Sequence, residues 1–128
     1  EPGGESRRYF GFSVAVSGEE VAVGAPVSTN YPTKGSGSAY SFKKSGTWQP
    51  FALPYSDGLN GDRFGESIAI SAGRIAVGAP KAKSGNNTRR GVARIFSGLN
   101  YANEINLTTN QTSFGRSIAI EGNKLPQK

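Results

Sequence analysis

The residue types of this sequence offer little that could carry out a reaction. It contains no histidine and no cysteine, which removes the commonest general base, the commonest metal ligand and any nucleophilic thiol or disulfide. It also has no phosphate-binding glycine loop and no serine within a Gly-x-Ser-x-Gly turn. Its nine acidic residues are scattered, so a glycosidase-type carboxylate pair is open but unsupported. We therefore predict no catalytic residues and no enzymatic activity.

Two other features of the sequence, a cluster of oxygen-bearing side chains and a positive net charge, could serve to bind a metal ion or an acidic partner. Oxygen-bearing side chains cluster at Asp57, Asn60 and Asp62; calcium needs such ligands, but these residues are equally ordinary in turns. We expect no metal site and no cofactor, and we keep this cluster as a weak metal candidate. The net charge of +6 favours acidic partners such as polyanionic glycans, acidic proteins or nucleic acid, or serves solubility alone.

Several signals bear on the location of the protein. Three Asn-x-Thr motifs, at Asn86, Asn106 and Asn110, are candidate N-glycosylation sites; each motif is weak alone, and together they favour a secreted or cell-surface protein. No apolar run approaches the ~20 residues of a membrane-spanning helix, so we expect no direct membrane insertion. The chain does not begin with methionine, and we expect a processed product or a fragment.

An internal repeat organises the chain. Residues 9–26 (YFGFSVAVSGEEVAVGAP) align without a gap with residues 63–80 (RFGESIAISAGRIAVGAP), at an offset of 54 residues and with ten of 18 positions identical. A third copy begins at residues 113–123 (SFGRSIAIEGN). Repeats of about 40–50 residues are typical of solenoids and propellers. We predict a first blade at about residues 9–62, a second at about 63–112 and a partial third at about 113–125.

Each full copy predicts four short strands and no helix. In the second copy they are residues 66–71, 74–78, 91–96 and about 104–108, with turn residues between them. Large and small side chains alternate along the first strand of every copy: Val14, Val16, Ile68, Ile70, Ile118 and Ile120 on one face, and Ser13, Ala15, Ser67, Ala69, Ser117 and Ala119 on the other. A solvated face would carry charges, so small residues there predict close packing against a second sheet. Stacked four-stranded sheets make a β-propeller.

These motifs resemble the FG-GAP repeats of integrin α heads and of many extracellular microbial and algal proteins. The resemblance rests on Phe10-Gly11 with Val23-Gly24-Ala25-Pro26 and on the same residues one repeat later. It implies an all-β propeller. Closing one needs roughly 200–400 residues at this repeat length, so the chain supplies about two and a half blades of a larger or oligomer-completed propeller. The tail Lys124–Lys128 departs from the repeat, because Pro126 cannot pair within a central strand.

The resemblance also implies where binding occurs. Many relatives hold calcium in an Asp-rich loop between the first two strands, but here that place holds only the short turns at residues 17–19 and 71–73. In integrin heads, the end of the propeller that carries the other two connections of each blade meets ligand and partner subunit. Our binding candidates at that end are Tyr31, Lys34, Lys81, Lys83, Arg89 and Arg90, although any one of them could be a solvated loop residue.

Three functions remain open at this point. The first is an extracellular, non-enzymatic adhesion or recognition module that binds a protein or an acidic glycan. The second is a structural subunit of an extracellular assembly, and the third and weaker one is an accessory domain of a secreted enzyme. Nucleic acid ranks lower as a partner, because residues 81–94 contain no aromatic side chain and single-strand recognition interleaves aromatic with basic residues.

Overall fold

The computed structural model describes residues 10–27, 35–55, 59, 61–71, 73–84, 88–89, 91–98, 101–108 and 115–120. Within these ranges the secondary structure is β, with no α-helix. The strands are β1 Ser13–Ser17, β2 Glu20–Ala25, β3 Ser38–Ser45, β4 Thr47–Ala52, β5 Ser67–Ser71, β6 Arg74–Ala79, β7 Lys83–Ser84, β8 Thr88–Arg89, β9 Val92–Ser97 and β10 Asn103–Thr108.

Two four-stranded antiparallel sheets account for the two full copies of the repeat. The first has the order β1-β2-β3-β4 and the second the order β5-β6-β9-β10, while β7 and β8 form a separate short hairpin. The register repeats as well, since Ser13 pairs with Gly24 in the first sheet and Ser67 with Gly78 in the second. The predicted all-β fold with four-stranded blades is therefore confirmed. The first sheet is called blade 1 below, and the second blade 2.

The two blades stack with the small face of one against the large face of the other. Ala22 and Ala39 of blade 1 belong to one buried core with Ile75, Val77 and Phe96 of blade 2. The predicted close contact between small residues and a second sheet is thus confirmed. No second sheet covers the large face of blade 1 among the described residues. The side chains of Val14 and Val16 are 56% and 65% exposed there, although Val23 and Tyr40 on the same face are only 7% and 6% exposed. Ile68, the repeat counterpart of Val14, is only 9% exposed, and Ile70, the counterpart of Val16, is partly buried against the core.

Glycines bring the backbones of successive blades into contact. Gly65 has φ +97°, a conformation that suits glycine, and its carbonyl lies where a Cβ on Gly24 would stand. The Ser13 hydroxyl donates to that same carbonyl at 2.8 Å. The arrangement recurs one repeat later, where Ser67 Oγ donates to the carbonyl of Gly115 at 2.6 Å and Gly115 lies against Gly78. The Phe-Gly motif of one blade therefore docks on the Gly-Ala-Pro motif of the preceding blade.

The phenylalanine of this motif fills the space between the blades. Phe64 is fully buried. Its ring stacks on Tyr55 with centroids 4.1 Å apart and meets Phe96 edge-on at 6.3 Å. The contact with Phe96 has a counterpart in blade 1, where Phe10 meets Phe42 edge-on at 6.2 Å. The half-buried Phe10 therefore lies on the large face of blade 1, which is called the open face below. Its repeat counterpart Phe64 lies inside the core between the blades.

The turns and connections sort to two ends of the stacked blades. The connections β2–β3, β4–β5 and β6–β9 emerge at one end, called the loop face here. The tight turns β1–β2, β3–β4 and β5–β6 and the β9–β10 connection emerge at the other, the hairpin end. Pro80 directly follows β6 and lacks an N–H, which suits the point where the chain leaves the sheet.

Candidate binding site on the loop face

Backbone hydrogen bonds tie the connections of the loop face to one another. The amides of Gly61 and Phe64 donate to the carbonyls of Gly35 and Ser36 at 3.1 and 2.8 Å, which joins the β4–β5 connection to the β2–β3 connection. The amide of Lys81 donates to the carbonyl of Asp62 at 3.1 Å, which adds the β6–β9 connection. The described parts of the three connections therefore form one frame rather than separate loops.

Asp62 holds the β4–β5 connection in shape. Its carboxylate oxygen Oδ2 accepts hydrogen bonds from the Tyr55 hydroxyl at 2.6 Å and from the Leu59 amide at 2.9 Å. The residue is buried, and these bonds satisfy polar groups that would otherwise be costly to bury. Asp57 and Asn60, the other members of the weak metal candidate, lie outside the described residues. Within the described ranges, no three acidic, histidine or cysteine side chains are grouped as metal ligands would be.

A basic cavity opens on the loop face, close to the starts of β1 and β5. Its volume is about 360 Å³. The lining residues carry three cationic groups and one carboxylate: Phe12, Arg63, Glu66, Pro80, Lys81 and Arg116. This set is called the basic cavity below. An excess of guanidinium and ammonium groups in one concave site attracts anions and can bind a carboxylate or sulfate by charge-assisted hydrogen bonds.

The repeat itself builds one row of this cavity. Phe12, Glu66 and Arg116 each follow the glycine of the Phe-Gly motif, in the first, second and third copies respectively. The docking of successive blades places these positions side by side, and the third copy contributes the exposed guanidinium of Arg116. The same structural position therefore carries an aromatic, an acidic and a basic side chain in turn.

Arg63 is held in place before any ligand arrives. It has φ +64°, which is uncommon for a residue with a side chain. Its Nε donates to the carboxylate of Glu66, and its guanidinium carbon lies 5.7 Å from the centre of the Phe12 ring. A guanidinium fixed in this way loses less conformational entropy on binding an anion than a free side chain does.

The structure brings only part of the predicted binding set to this site. Lys81 is exposed and lines the basic cavity. Lys83 and Arg89 are register partners in the β7–β8 hairpin. Tyr31, Lys34 and Arg90 lie outside the described residues. Sequence reasoning missed Arg63 and Arg116, because it searched the long loops; the positions flanking each Phe-Gly motif were the signal that could have found them.

Two other sequence features can be placed. Asn106, one of the candidate glycosylation sites, lies in β10 with its side chain exposed; Asn86 and Asn110 lie outside the described residues. In the part of the chain that the structure describes, no helix is long and apolar enough to cross a membrane.

Comparison with known proteins identifies the repeat. A family model described as FG-GAP repeat matches residues 2–42 and again residues 52–96. The two matches together cover more than half of the chain and include six of the ten described strands in full. No curated protein matches the chain.

Proposed function

The chain belongs to the FG-GAP repeat family, and on that premise we propose that it is an extracellular, non-enzymatic recognition module that binds an acidic group of a protein or glycan in the basic cavity. The observation that carries this proposal is the convergence of Arg63, Lys81 and Arg116 on one cavity with a single carboxylate, Glu66. The proposal of an extracellular location is supported by the glycosylation motifs and by the resemblance to integrin α heads.

Geometry favours a compact anionic group over a diffuse polyanion surface. The Glu66 carboxylate and the Phe12 ring orient the Arg63 guanidinium, and Lys81 and Arg116 contribute to the same concave site. Charge-assisted hydrogen bonds of this kind contribute about 1.5–3 kcal/mol each when they are formed in a partly desolvated site. The ligand we propose is therefore the side chain of an acidic residue, or the carboxylate or sulfate of an acidic sugar.

Charge reversal at the basic cavity tests the proposal. We expect the double variant Lys81→Glu/Arg116→Glu to lose most of its retention on a heparin column, with an affinity for heparin oligosaccharides at least about tenfold weaker, because two attractive charges become repulsive. Both residues are exposed, so the thermal melt should be little changed. A second variant that also reverses Lys83, Arg89 and Arg90 measures the contribution of the β6–β9 connection.

The matched control is Lys43→Glu/Lys44→Glu. It makes the same change in net charge at the hairpin end, where both lysines are exposed. Retention of heparin binding in this control, with loss in the basic-cavity variant, would support the loop-face site. Equal losses in both variants would show that net charge alone, and no particular site, attracts the polyanion.

A second candidate function, a structural subunit of an extracellular assembly, rests on the open face of blade 1. Val14 and Val16 occupy positions whose counterparts in blade 2 pack against a neighbouring blade. Contiguous exposed apolar patches larger than roughly 300–600 Å² are unusual on soluble monomers. We therefore propose that another blade covers this face, supplied by a longer parent chain or by a second copy.

Light scattering of the 128-residue chain at micromolar concentration tests this second candidate. We expect a mass above that of the monomer, and we expect Val14→Lys/Val16→Lys to return it to the monomer by placing charges on the open face. A stable, cooperatively melting native monomer would contradict the proposed cover by a second copy.

A further inference from the structure

A second cavity lies at the hairpin end, on the opposite side of the blades from the loop face. Its volume is about 190 Å³, roughly the space of six waters in the liquid, which limits an occupant to one small molecule. It lies between β3–β4 of blade 1 and the β9–β10 connection of blade 2, and its lining residues are Ser41, Lys43, Gln49, Pro50, Phe51 and Tyr101. This set is called the interblade cavity below.

The interblade cavity is a departure from the repeat rather than a consequence of it. Ser41 and Lys43 have Ile95 and Ser97 as their counterparts one repeat later, and Phe51 has Ile105. Glu20, which contacts the cavity wall, has the oppositely charged Arg74 as its counterpart. The blade fold therefore does not require these polar side chains, and the apolar Ile95 shows what the repeat tolerates at the position of Ser41.

Two oppositely charged side chains, Glu20 and Lys43, are neighbours at this cavity but do not form an ion pair with each other. Glu20 is 9% exposed, and its Oε2 accepts a hydrogen bond of 2.6 Å from the buried Ser41 hydroxyl. Lys43 is the register partner of Glu20 across β2 and β3, so both side chains project from the same face of the sheet. The Lys43 ammonium instead lies 4.9 Å from the centre of the Tyr101 ring. Across the described residues, it makes no ion pair with any carboxylate.

The uncharged polar groups of the cavity are mainly acceptors. The hydroxyl hydrogen of Ser41 goes to Glu20, so in the 3.3 Å contact between Ser41 Oγ and the Tyr101 hydroxyl it is the tyrosine that donates. That leaves the lone pairs of the Tyr101 oxygen. The side-chain amide N–H of Gln49 donates a hydrogen bond to the Thr47 hydroxyl at 2.6 Å. The side-chain carbonyl oxygen of Gln49 is left as an acceptor. Tyr101 is fixed at φ +54° and is 2% exposed.

The remaining wall is apolar. The Phe51 and Tyr101 ring centroids are 5.9 Å apart, and Pro50 adjoins Phe51 in β4. Phe51 is 36% exposed, so its ring is accessible to a ligand. One cationic donor, a set of acceptors backed by a buried carboxylate, and an apolar wall therefore meet in a cavity for one small molecule.

We propose that the interblade cavity binds a free α-amino acid with an apolar side chain. The ligand carboxylate pairs with the Lys43 ammonium, and the ligand ammonium donates to the oxygens of Gln49 and Tyr101, with the Glu20 carboxylate behind Ser41. The apolar side chain packs on the Phe51 ring. A dipolar ligand matches the opposite charges of Lys43 and Glu20, whereas an anion would be repelled by Glu20 and a cation by Lys43.

Calorimetric titration of the whole chain with phenylalanine and with leucine tests the proposal. We expect saturable binding of at least one of them at millimolar ligand, and at least tenfold weaker binding of 3-phenylpropionate and of phenethylamine, which each lack one of the two charges. Equal binding of either single-charge analogue, or no binding of either amino acid, would overturn the proposal.

Variants locate the site. We expect Lys43→Met to weaken amino-acid binding at least tenfold, because it removes the partner of the ligand carboxylate while keeping an unbranched side chain of nearly the same length. Lys44→Met is the matched control: it changes the next residue, whose side chain projects from the other face of β3, and should leave the affinity unchanged. Lys81→Glu/Arg116→Glu should also leave it unchanged, which separates this site from the basic cavity. Native affinity in Lys43→Met would overturn the assignment.

Discussion

Replacing Gly24 with alanine is expected to lower the free energy of unfolding by about 3 kcal/mol or more, or to prevent folding. The added Cβ would fall on the backbone carbonyl of Gly65 and on the Ser13 hydroxyl. The carbonyl belongs to the neighbouring blade and cannot rotate away as a flexible side chain would. Relief of the clash therefore requires blades 1 and 2 to separate, which costs the Ser13–Gly65 hydrogen bond and apolar packing together. Chemical denaturation followed by circular dichroism measures the change.

Gly73→Ala is the matched control for this experiment. Gly73 lies in the β5–β6 turn, and a Cβ there meets no atom within 4 Å. Its φ of +80° means that alanine is strained by about 1–2 kcal/mol. Gly78→Ala should reproduce the effect of Gly24→Ala, because its Cβ would fall on the carbonyl of Gly115. If Gly24→Ala cost no more than Gly73→Ala, the close docking of the blades would be wrong.

The second large effect is expected at Phe64. Replacing it with alanine should cost about 3–5 kcal/mol, since the ring is fully buried and its removal leaves a cavity between blades. Its stacking on Tyr55 and its edge contact with Phe96 are lost as well. Thermal unfolding should remain cooperative but occur at a markedly lower temperature.

Phe10→Ala supplies the comparison, because it makes the same chemical change at the equivalent position of blade 1. Phe10 is half-buried on the open face, so in the monomeric Val14→Lys/Val16→Lys background less apolar area returns to water and we expect a clearly smaller loss of stability. In the associated wild-type chain, a loss at Phe10 close to that at Phe64 would show that the second copy covers the open face; an equal loss in the monomeric background would contradict the exposure of that face.

The fold was predictable from the sequence because repetition multiplies weak local signals. The large-and-small alternation of Val14-Ala15-Val16 recurs in Ile68-Ala69-Ile70, and two copies in one register predict both the strands and the stacking. The strands of blade 2 begin and end within a residue or so of the predicted limits. The two-residue periodicity of a strand shows which side chains share a face of the sheet. A face of small, uncharged side chains in turn predicts that a second sheet packs on it.

The candidate sites were predictable only in part, because they join residues that the repeat keeps apart in sequence. Lys81 was found in a basic loop, but Arg116 reaches the same cavity only through the docking of the third copy on blade 2. Tyr101 reaches the interblade cavity through a backbone turn with positive φ that no local pattern announces. A useful signal was present nonetheless: positions where copies differ in polarity, such as Ser41 against Ile95, mark where the scaffold has been adapted.

The glycine contact between blades has a consequence for engineering. It joins main chain to main chain through Gly24 and Gly65, and again through Gly78 and Gly115, so the angle between neighbouring blades is set by atoms common to every sequence. The connection lengths vary around this joint, as the two repeat offsets of 54 and 50 residues indicate. Foreign segments grafted onto the β2–β3 or β6–β9 connection should therefore be displayed at a constant distance and angle from one blade to the next. Each blade could then serve as an interchangeable unit for displaying such segments.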